Sequence, residues 1–573
     1  MKKSISLILA ALMLFTLAAC GGGGNSNSAA TVAPADTAAA AATEAPADTA
    51  TAEAPADTKS VETPADDAGG EPVIDNEPIV LSMNVMNQER HGQPEDPRWQ
   101  IIKEKFNITY DYIPCNWGEW NEKIRTWIAT DDAPDLIWWD LKGAQAQEYR
   151  TWAIEGAFAP LKAGYFTPDR PELSRVYKNS PSIPALSVDG VLYSWPSMRD
   201  NPPEAESCYT SHWSYRRDWA KAVGLYKKDD VYTWEEWIEL LRAVKDQDPG
   251  NNGADNAVLV MANWAFPHAP ALFIGPPAAE GNETCSYIKV DGKYVWPASL
   301  PEYRQGVKIT YDMYQEGLIY QDNLLFTGSE PDDMIKAGLA FATYNVTWGY
   351  NSWTTDMLRD GIIKDRSDWG IAIVYGWDGK WYMTQTEDYW TITAMSHKMS
   401  EDKINRVLDS WEYLFTTEGY QMRNFGREGV DYKVNGPGLN DIELLWPYDE
   451  AAGDFVNPFS NKYEFGEATG ANNGLTIVPP RTPQYQFEER TRLWNTFASS
   501  PNKVVKVFDY DVSFGSAPNK DIHGSFGMRA KEKLVELLPQ RGIDIEAKWD
   551  EFVAQMMPEV QLVLDELNGG ALN

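Results

Sequence analysis

Cysteine and histidine are scarce in this chain. Its 573 residues hold four cysteines (Cys20, Cys115, Cys208 and Cys285) and five histidines. No Cys-x-x-Cys pair occurs, so neither a disulfide scaffold nor a cysteine zinc site is signalled. His91, His212, His268, His397 and His523 form no HExxH pattern and have no partners at metal-ligand spacing. No GxxxxGK[ST] loop is present to cradle a phosphate. No GxSxG elbow is present either, since His523-Gly524-Ser525-Phe526-Gly527 lacks the first glycine. Positive charge is in deficit, with 50 Lys and Arg against 84 Asp and Glu and a net charge of −34. That argues against nucleic acid and against an anionic lipid surface as partners. Without a catalytic motif the chain is not expected to be an enzyme. Carboxylates roughly 5–9 Å apart could hydrolyse a glycoside, but sequence spacing does not reveal such a pair.

The front of the chain carries the strongest positive signal. Lys2 and Lys3 precede an apolar run from Ile5 to Ala19, which closes on Leu17-Ala18-Ala19-Cys20. A basic start, a short apolar core and small residues before the cut describe a secretory signal. The run is too short for a bilayer-spanning helix of roughly 20 residues. The cysteine directly after the small residues makes it a lipoprotein signal. Cleavage after residue 19 would leave Cys20 as the acylated N-terminus. The expected location is the outer face of the cell membrane, with lipid as the only membrane contact. No later segment is apolar enough to cross a bilayer.

Residues 20–78 read as a tether. Ala-Pro-Ala-Asp-Thr occurs at Ala33–Thr37, Ala45–Thr49 and Ala54–Thr58, and aromatics are missing throughout. Such a stretch cannot bury enough surface to offset its ordering entropy, and proline stiffens it locally. About 495 residues follow, too many for one ordinary core and enough for two lobes.

Along those residues strands alternate with helices. Ile79–Val85, Asn107–Ile113 and Asp135–Trp139 read as strands, and Pro97–Phe106, Glu119–Ala129 and Gln145–Ile154 as the helices between and after them. The pattern predicts a parallel sheet covered on both faces. Thr233-Trp234-Glu235-Glu236 is a capping box opening a helix that buries Trp237, Leu240, Leu241 and Val244. A second α/β unit begins at Ala257–Met261. Helices are expected at Pro301–Glu316, Lys403–Thr416 and Ala547–Leu567.

The chain is rich in aromatics, with 24 Trp, 28 Tyr and 19 Phe. Trp offers a broad apolar face and one N–H donor, which suits a sugar ring. Most of these residues serve the core. The informative ones stand at the carboxyl ends of strands, where α/β proteins bind ligands. The candidates there are Asn87, Glu89 and Arg90 after the first strand, Trp139 and Asp140 after the third, Trp264 and Phe266 after Ala257–Met261, Trp348 after Leu339–Tyr344, and Trp390.

Several motifs in order resemble one family. Ala133-Pro134-Asp135-Leu136-Ile137-Trp138-Trp139 matches its APD-plus-apolar strand. Asp189-Gly190-Val191-Leu192-Tyr193-Ser194-Trp195-Pro196 matches its DGxxYxxP segment, and Trp195 joins the candidates. Arg217-Asp218-Trp219, Gly224-Leu225 and Thr233-Trp234-Glu235-Glu236-Trp237 match its RxDW…GL…TWEEW block. Asn424-Phe425-Gly426-Arg427-Glu428-Gly429-Val430-Asp431-Tyr432 resembles the YGxEGxxY signature of its long Gram-positive clade. The chain thus resembles an extracellular solute-binding protein of the sugar-binding family 1 type, the lipoprotein of an ABC importer.

The resemblance implies a two-lobed, periplasmic-binding-protein-like (type II) α/β fold with a hinge and a cleft. The lobes are expected at 79–205 plus 376–430, and at 206–375 plus 431–573. It implies a carbohydrate ligand, expected to be an oligosaccharide, and delivery to ABC permease subunits by a monomeric receptor. Trp139 and Trp348 match the family's stacking positions by place, and Trp264 and Phe266 fall where a third aromatic contact lies. The clade's calcium loop is degraded here to Asp248-Pro249-Gly250-Asn251-Asn252-Gly253-Ala254-Asp255-Asn256-Ala257. Asp248, Asn252 and Asn256 are the remaining candidate ligands. With so few charged oxygens, a plain turn or weak calcium binding is expected. The alternatives are the same fold holding a peptide or another solute, and a surface-anchored glycan-degrading enzyme.

Overall fold

The computed structural model describes residues 77–86, 96–116, 118–141, 144–198, 211–262, 287–326, 329–346, 349–384, 387–438, 441–449, 454–456, 458–459, 484–506, 509–523 and 526–572. The leader and spacer lie outside them. The principal strands are β1 (Ile79–Met86), β2 (Ile108–Cys115), β3 (Leu136–Trp139), β4 (Ser194–Met198), β5 (Ser211–Arg216), β6 (Val231–Tyr232), β7 (Ala257–Met261), β8 (Ala340–Val346), β9 (Trp369–Val374), β10 (Trp381–Thr384), β11 (Tyr389–Met395) and β12 (Lys503–Lys506).

The first sheet runs β2-β1-β3-β11-β4. β1 is parallel to β2 and β3, while β11 lies antiparallel between β3 and β4. Side chains join β1 to β3 where their backbones share one registered pair. Ser82 N and Oγ donate to the Asp135 carboxylate (3.0 and 3.1 Å), and Asn84 clasps Trp138, accepting from its N (2.8 Å) and donating to its O (2.9 Å). The expected helices are present. Pro97–Phe106 starts from Asp96, whose carboxylate accepts from Arg98 N, and Trp120–Ala129 and Ala144–Ile154 follow. The core of this lobe packs Met83, Leu136, Trp138, Trp139, Trp195, Ile392 and Trp411.

The second sheet runs β6-β9-β5-β8-β7, with β5 as its antiparallel middle strand. Each face is covered by its own cluster. Ala372 and Val374 point toward Trp237, Leu240 and the C-terminal helix Ile545–Asn568. Trp369, Ile371 and Ile373 point the other way, toward Trp353, Leu493 and Phe497. This period-2 alternation is what a doubly covered strand requires. The capping box forms, with Glu236 N donating to Thr233 Oγ1 and Thr233 N to Glu236.

Two lobe boundaries differ from the sequence reading. Residues 376–384, assigned to the first lobe, pack with the second. β10 pairs in parallel with β12, and Trp381 stands edge-on to Phe497 at 5.0 Å. Residues 431–459, assigned to the second lobe, pack where described on Phe425 at the end of a first-lobe helix, through Tyr432, Leu444, Trp446 and Phe459. Arg98 stacks on Phe459 at 4.7 Å and donates to the Arg423 carbonyl. Gly426 makes this junction possible. Its φ is +95°, and a Cβ there would lie 2.1 Å from Phe459.

A buried ionic network fastens the helix Gln484–Ser499 to the second sheet. Arg217 pairs with Asp230 (2.6 Å) and Glu489 (2.8 Å), and Arg492 pairs with Glu489 (2.9 Å). Burial raises the Glu489 pKa, but Arg217 and Arg492 outweigh it and leave it below the usual carboxylate range. A depressed folded pKa gives stability that is present above the unfolded value, near 4.3, and lost as pH falls through the folded value. Glu489→Gln should therefore lower stability by about 2 kcal/mol at pH 7. It should also flatten the loss of stability between pH 5 and 3, as read by urea denaturation at each pH.

Candidate functional site

Strand directions locate the site. In the first sheet the carboxyl ends of β1, β2, β3 and β4 share one edge with the start of β11. In the second, the carboxyl ends of β7, β8 and β9 share one edge with the start of β5. The chain leaves the first sheet at Met198 and enters the second at Ser211. It leaves β9 at Val374, runs through β10, and re-enters the first sheet at Tyr389. Both crossings therefore connect ligand-type edges, as expected for a site built by two α/β lobes.

On the first edge, Trp138 is an organising residue. Its indole N–H donates to Thr391 Oγ1 (2.7 Å), its carbonyl accepts from the Trp120 indole (3.0 Å), and Trp390 meets it edge-on at 5.6 Å. Trp390 is half-buried and Trp120 buried. On the second edge, Trp213 and Tyr344 lie opposite each other in register and meet edge-on at 5.1 Å, with Tyr344 half-buried. At Met261, the register partner of Tyr344, Asn323 accepts from N (2.8 Å) and donates to O (3.0 Å). Each edge thus carries an aromatic pair and a strand end held by a buried asparagine amide.

The nominated residues fare differently. Trp139 is 0% exposed, stacks on Trp152 at 5.2 Å and donates to Asn121 (2.8 Å). Trp195 is 0% exposed, between Phe166 and Trp411. Both are core residues here, because inward positions at a strand end suit packing as well as they suit a ligand. Trp390 and Asp140 are half-buried at the edge. Asn87, Glu89, Arg90, Trp264, Phe266 and Trp348 lie outside the described residues, as does Cys20. Trp120, Trp213 and Tyr344 carry no sequence signal of a site. Helix-start Trp120 and mid-strand Trp213 carry no local mark that separates them from core aromatics.

The calcium-loop residues form a turn. The Asp248 carboxylate accepts from Asn252 N (3.0 Å) and Gly253 N (2.7 Å), and the Asn252 amide donates to the Gly338 carbonyl (3.0 Å). Asn256 donates to the Val244 carbonyl, and its Oδ1 is buried without a partner. One carboxylate already engaged by two N–H groups does not fit a calcium site, which takes 6–8 oxygens. Among the described residues no group of three or more His, Cys, Asp or Glu could hold a metal.

No protein-family model matches the chain. A fructooligosaccharide ABC transporter substrate-binding protein, FusA of Streptococcus pneumoniae, is 27% identical over 241 residues, 39% of this chain and 42% of its own length. The chain therefore matches less than half of that relative. Lipoprotein LipO of Bacillus subtilis is 27% identical over 371 residues, 61% of this chain and 68% of its own. Among solved structures, alginate-binding protein AlgQ2 superposes with a TM-score of 0.60 at 16% identity, covering 86% of this chain and 97% of that one. FusA of S. pneumoniae in complex with kestose gives 0.58 at 15% identity, covering 86% and 100%. The fold is that of a two-lobed solute-binding protein. At these identities the structures establish the fold alone.

Because Asp248 is satisfied by backbone, millimolar calcium or a chelator should move the melting temperature by less than about 1 °C. Differential scanning calorimetry of the calcium-loaded and chelated protein checks this.

Proposed function

We propose that this chain is an exported, lipid-anchored receptor that captures an oligosaccharide between its two lobes and delivers it to an ABC permease. The observation that carries this reading is that both described crossings join the carboxyl-end edges of the two sheets, each of which bears aromatics. Trp138, Trp390 and Trp120 stand on one, Trp213 and Tyr344 on the other. Trp390 and Tyr344 are the half-buried members of these groups, and a partly open aromatic face suits the apolar face of a sugar. The names of FusA and its kestose complex support a sugar as cargo. The net charge of −34 favours an uncharged oligosaccharide over a polyuronate.

Capture follows from unequal affinity. Open and closed lobe arrangements interconvert, and sugar contacted from both edges binds the closed one better. No chemistry on the ligand is needed, which fits a receptor rather than an enzyme. Cys20 holds the receptor at the membrane and residues 21–78 give it reach. Asn87, Glu89, Arg90, Asp140, Trp264, Phe266, Trp348 and Trp390 are the side chains proposed to line the cleft.

Calorimetry of the Cys20-truncated protein against fructooligosaccharides, other neutral glycans, alginate oligosaccharides and peptides tests the cargo. Micromolar or tighter binding of a neutral glycan is expected. Tight binding of a peptide with silence toward every glycan would sink the sugar assignment. Trp390→Ala should weaken glycan binding by about tenfold, the loss of one stacking contact. In cells, Cys20→Ala should release the protein and abolish uptake while calorimetry shows unchanged affinity.

A further inference from the structure

A five-residue helix lies against both lobes. Tyr510–Phe514 follows β12 and starts from Asp509, whose carboxylate accepts from Val512 N (3.1 Å). Its residues divide their contacts. Asp509 pairs with Lys289 (2.7 Å) and accepts from the Tyr294 hydroxyl (3.0 Å), and Val512 enters the second-lobe core. Phe514 enters the first-lobe core beside Tyr389, their ring centroids 6.3 Å apart.

The tie to the first lobe centres on Asp388, one residue before β11. Tyr510 Oη donates to Asp388 Oδ1 (2.6 Å), and Asp388 N donates to Tyr510 Oη (2.9 Å). The other oxygen of Asp388 accepts from Ser180 Oγ of the first lobe, which is itself paired with Ser182. β10 and β12 run parallel out of the second lobe, Thr384 beside Lys506. Asp388 and Tyr510 lie four residues beyond those strand ends. Two separate passages of the chain are thus cross-linked where they reach the first lobe.

We propose that the helix Tyr510–Phe514 is a strap between the lobes, and that the Tyr510–Asp388–Ser180 chain sets their resting angle and thereby the affinity for ligand, without touching the ligand. A bond present in one lobe arrangement and stretched in another biases the equilibrium between them. A charge-assisted bond is stronger than a neutral one, and these bonds are part-buried, so a partner left behind loses an interaction that water replaces only in part. Tyr510, Asp388 and Ser180 are positioning residues, so their removal acts on the angle first. The effect on affinity rests on the receptor reading above, whereas the effect on the angle does not.

Spin labels read the angle directly. They are placed through Glu155→Cys in the first lobe and Glu239→Cys in the second, with Cys20, Cys208 and Cys285 changed to Ser and buried Cys115 kept. Tyr510→Phe should shift or broaden the ligand-free distance distribution and change glycan affinity about five-fold or more. Ser180→Ala, at the first-lobe end of the same chain, should move both in the same direction. Tyr382→Phe, which removes a bond to Asp378 within the same ribbon (2.6 Å), should move neither. Unchanged distances in folded Tyr510→Phe and Ser180→Ala would overturn the strap whether or not a glycan binds. Shifted distances in a protein that binds no glycan would support the strap and defeat the sugar reading.

Discussion

The structure depends on two hydrogen-bonded ladders in which a strand arriving from the other lobe becomes an antiparallel member of the sheet. β11 reaches the first sheet from the second lobe and lies between β3 and β4. β5 reaches the second sheet from the first lobe and lies between β8 and β9. Neither sheet can complete its ladders without the strand the other lobe sends. A backbone left unpaired in such a position would be costly, so the lobes are folded as partners. Both described crossings then emerge at the carboxyl-end edges, which is where an α/β sheet exposes side chains and strand ends to a ligand.

The crossings also concentrate polar chemistry. Asn84 and Asn323 hold strand ends by bridging backbone groups that the ladder leaves over, and the Asp388 chain links two passages of the polypeptide. Buried amides and carboxylates of this kind are stabilising only when every partner is in place. They fix the strand ends at both edges, and the Asp388 chain fixes the point at which two passages of the chain reach the first lobe.

The tryptophans show where sequence reasoning runs out. Trp138, Trp139, Trp195 and Trp390 all sit at strand positions close to one edge, yet only Trp390 keeps a partly open surface. A Trp buried against Trp152 or Trp411 looks the same in sequence as one facing a sugar, because both need a large apolar face with a polar tip. The same holds for the lobe boundaries. Trp381 belongs to the second lobe because Phe497 and β12 meet it from more than a hundred positions away, and local composition carries no trace of that pairing.

Sequence alone determined the local structure. The Thr233 capping box, the helix entered through Pro97 and the apolar strand Leu136–Trp139 follow from backbone sterics, capping and burial over a few residues. It also determined the α/β class, through strands alternating with helices. Tertiary structure decided the rest: which sheet receives each crossing strand, which tryptophans remain open, and that Tyr510 meets Asp388 across 122 positions. Those outcomes depend on contacts between distant segments, whose energies exist only once the chain has brought the segments together.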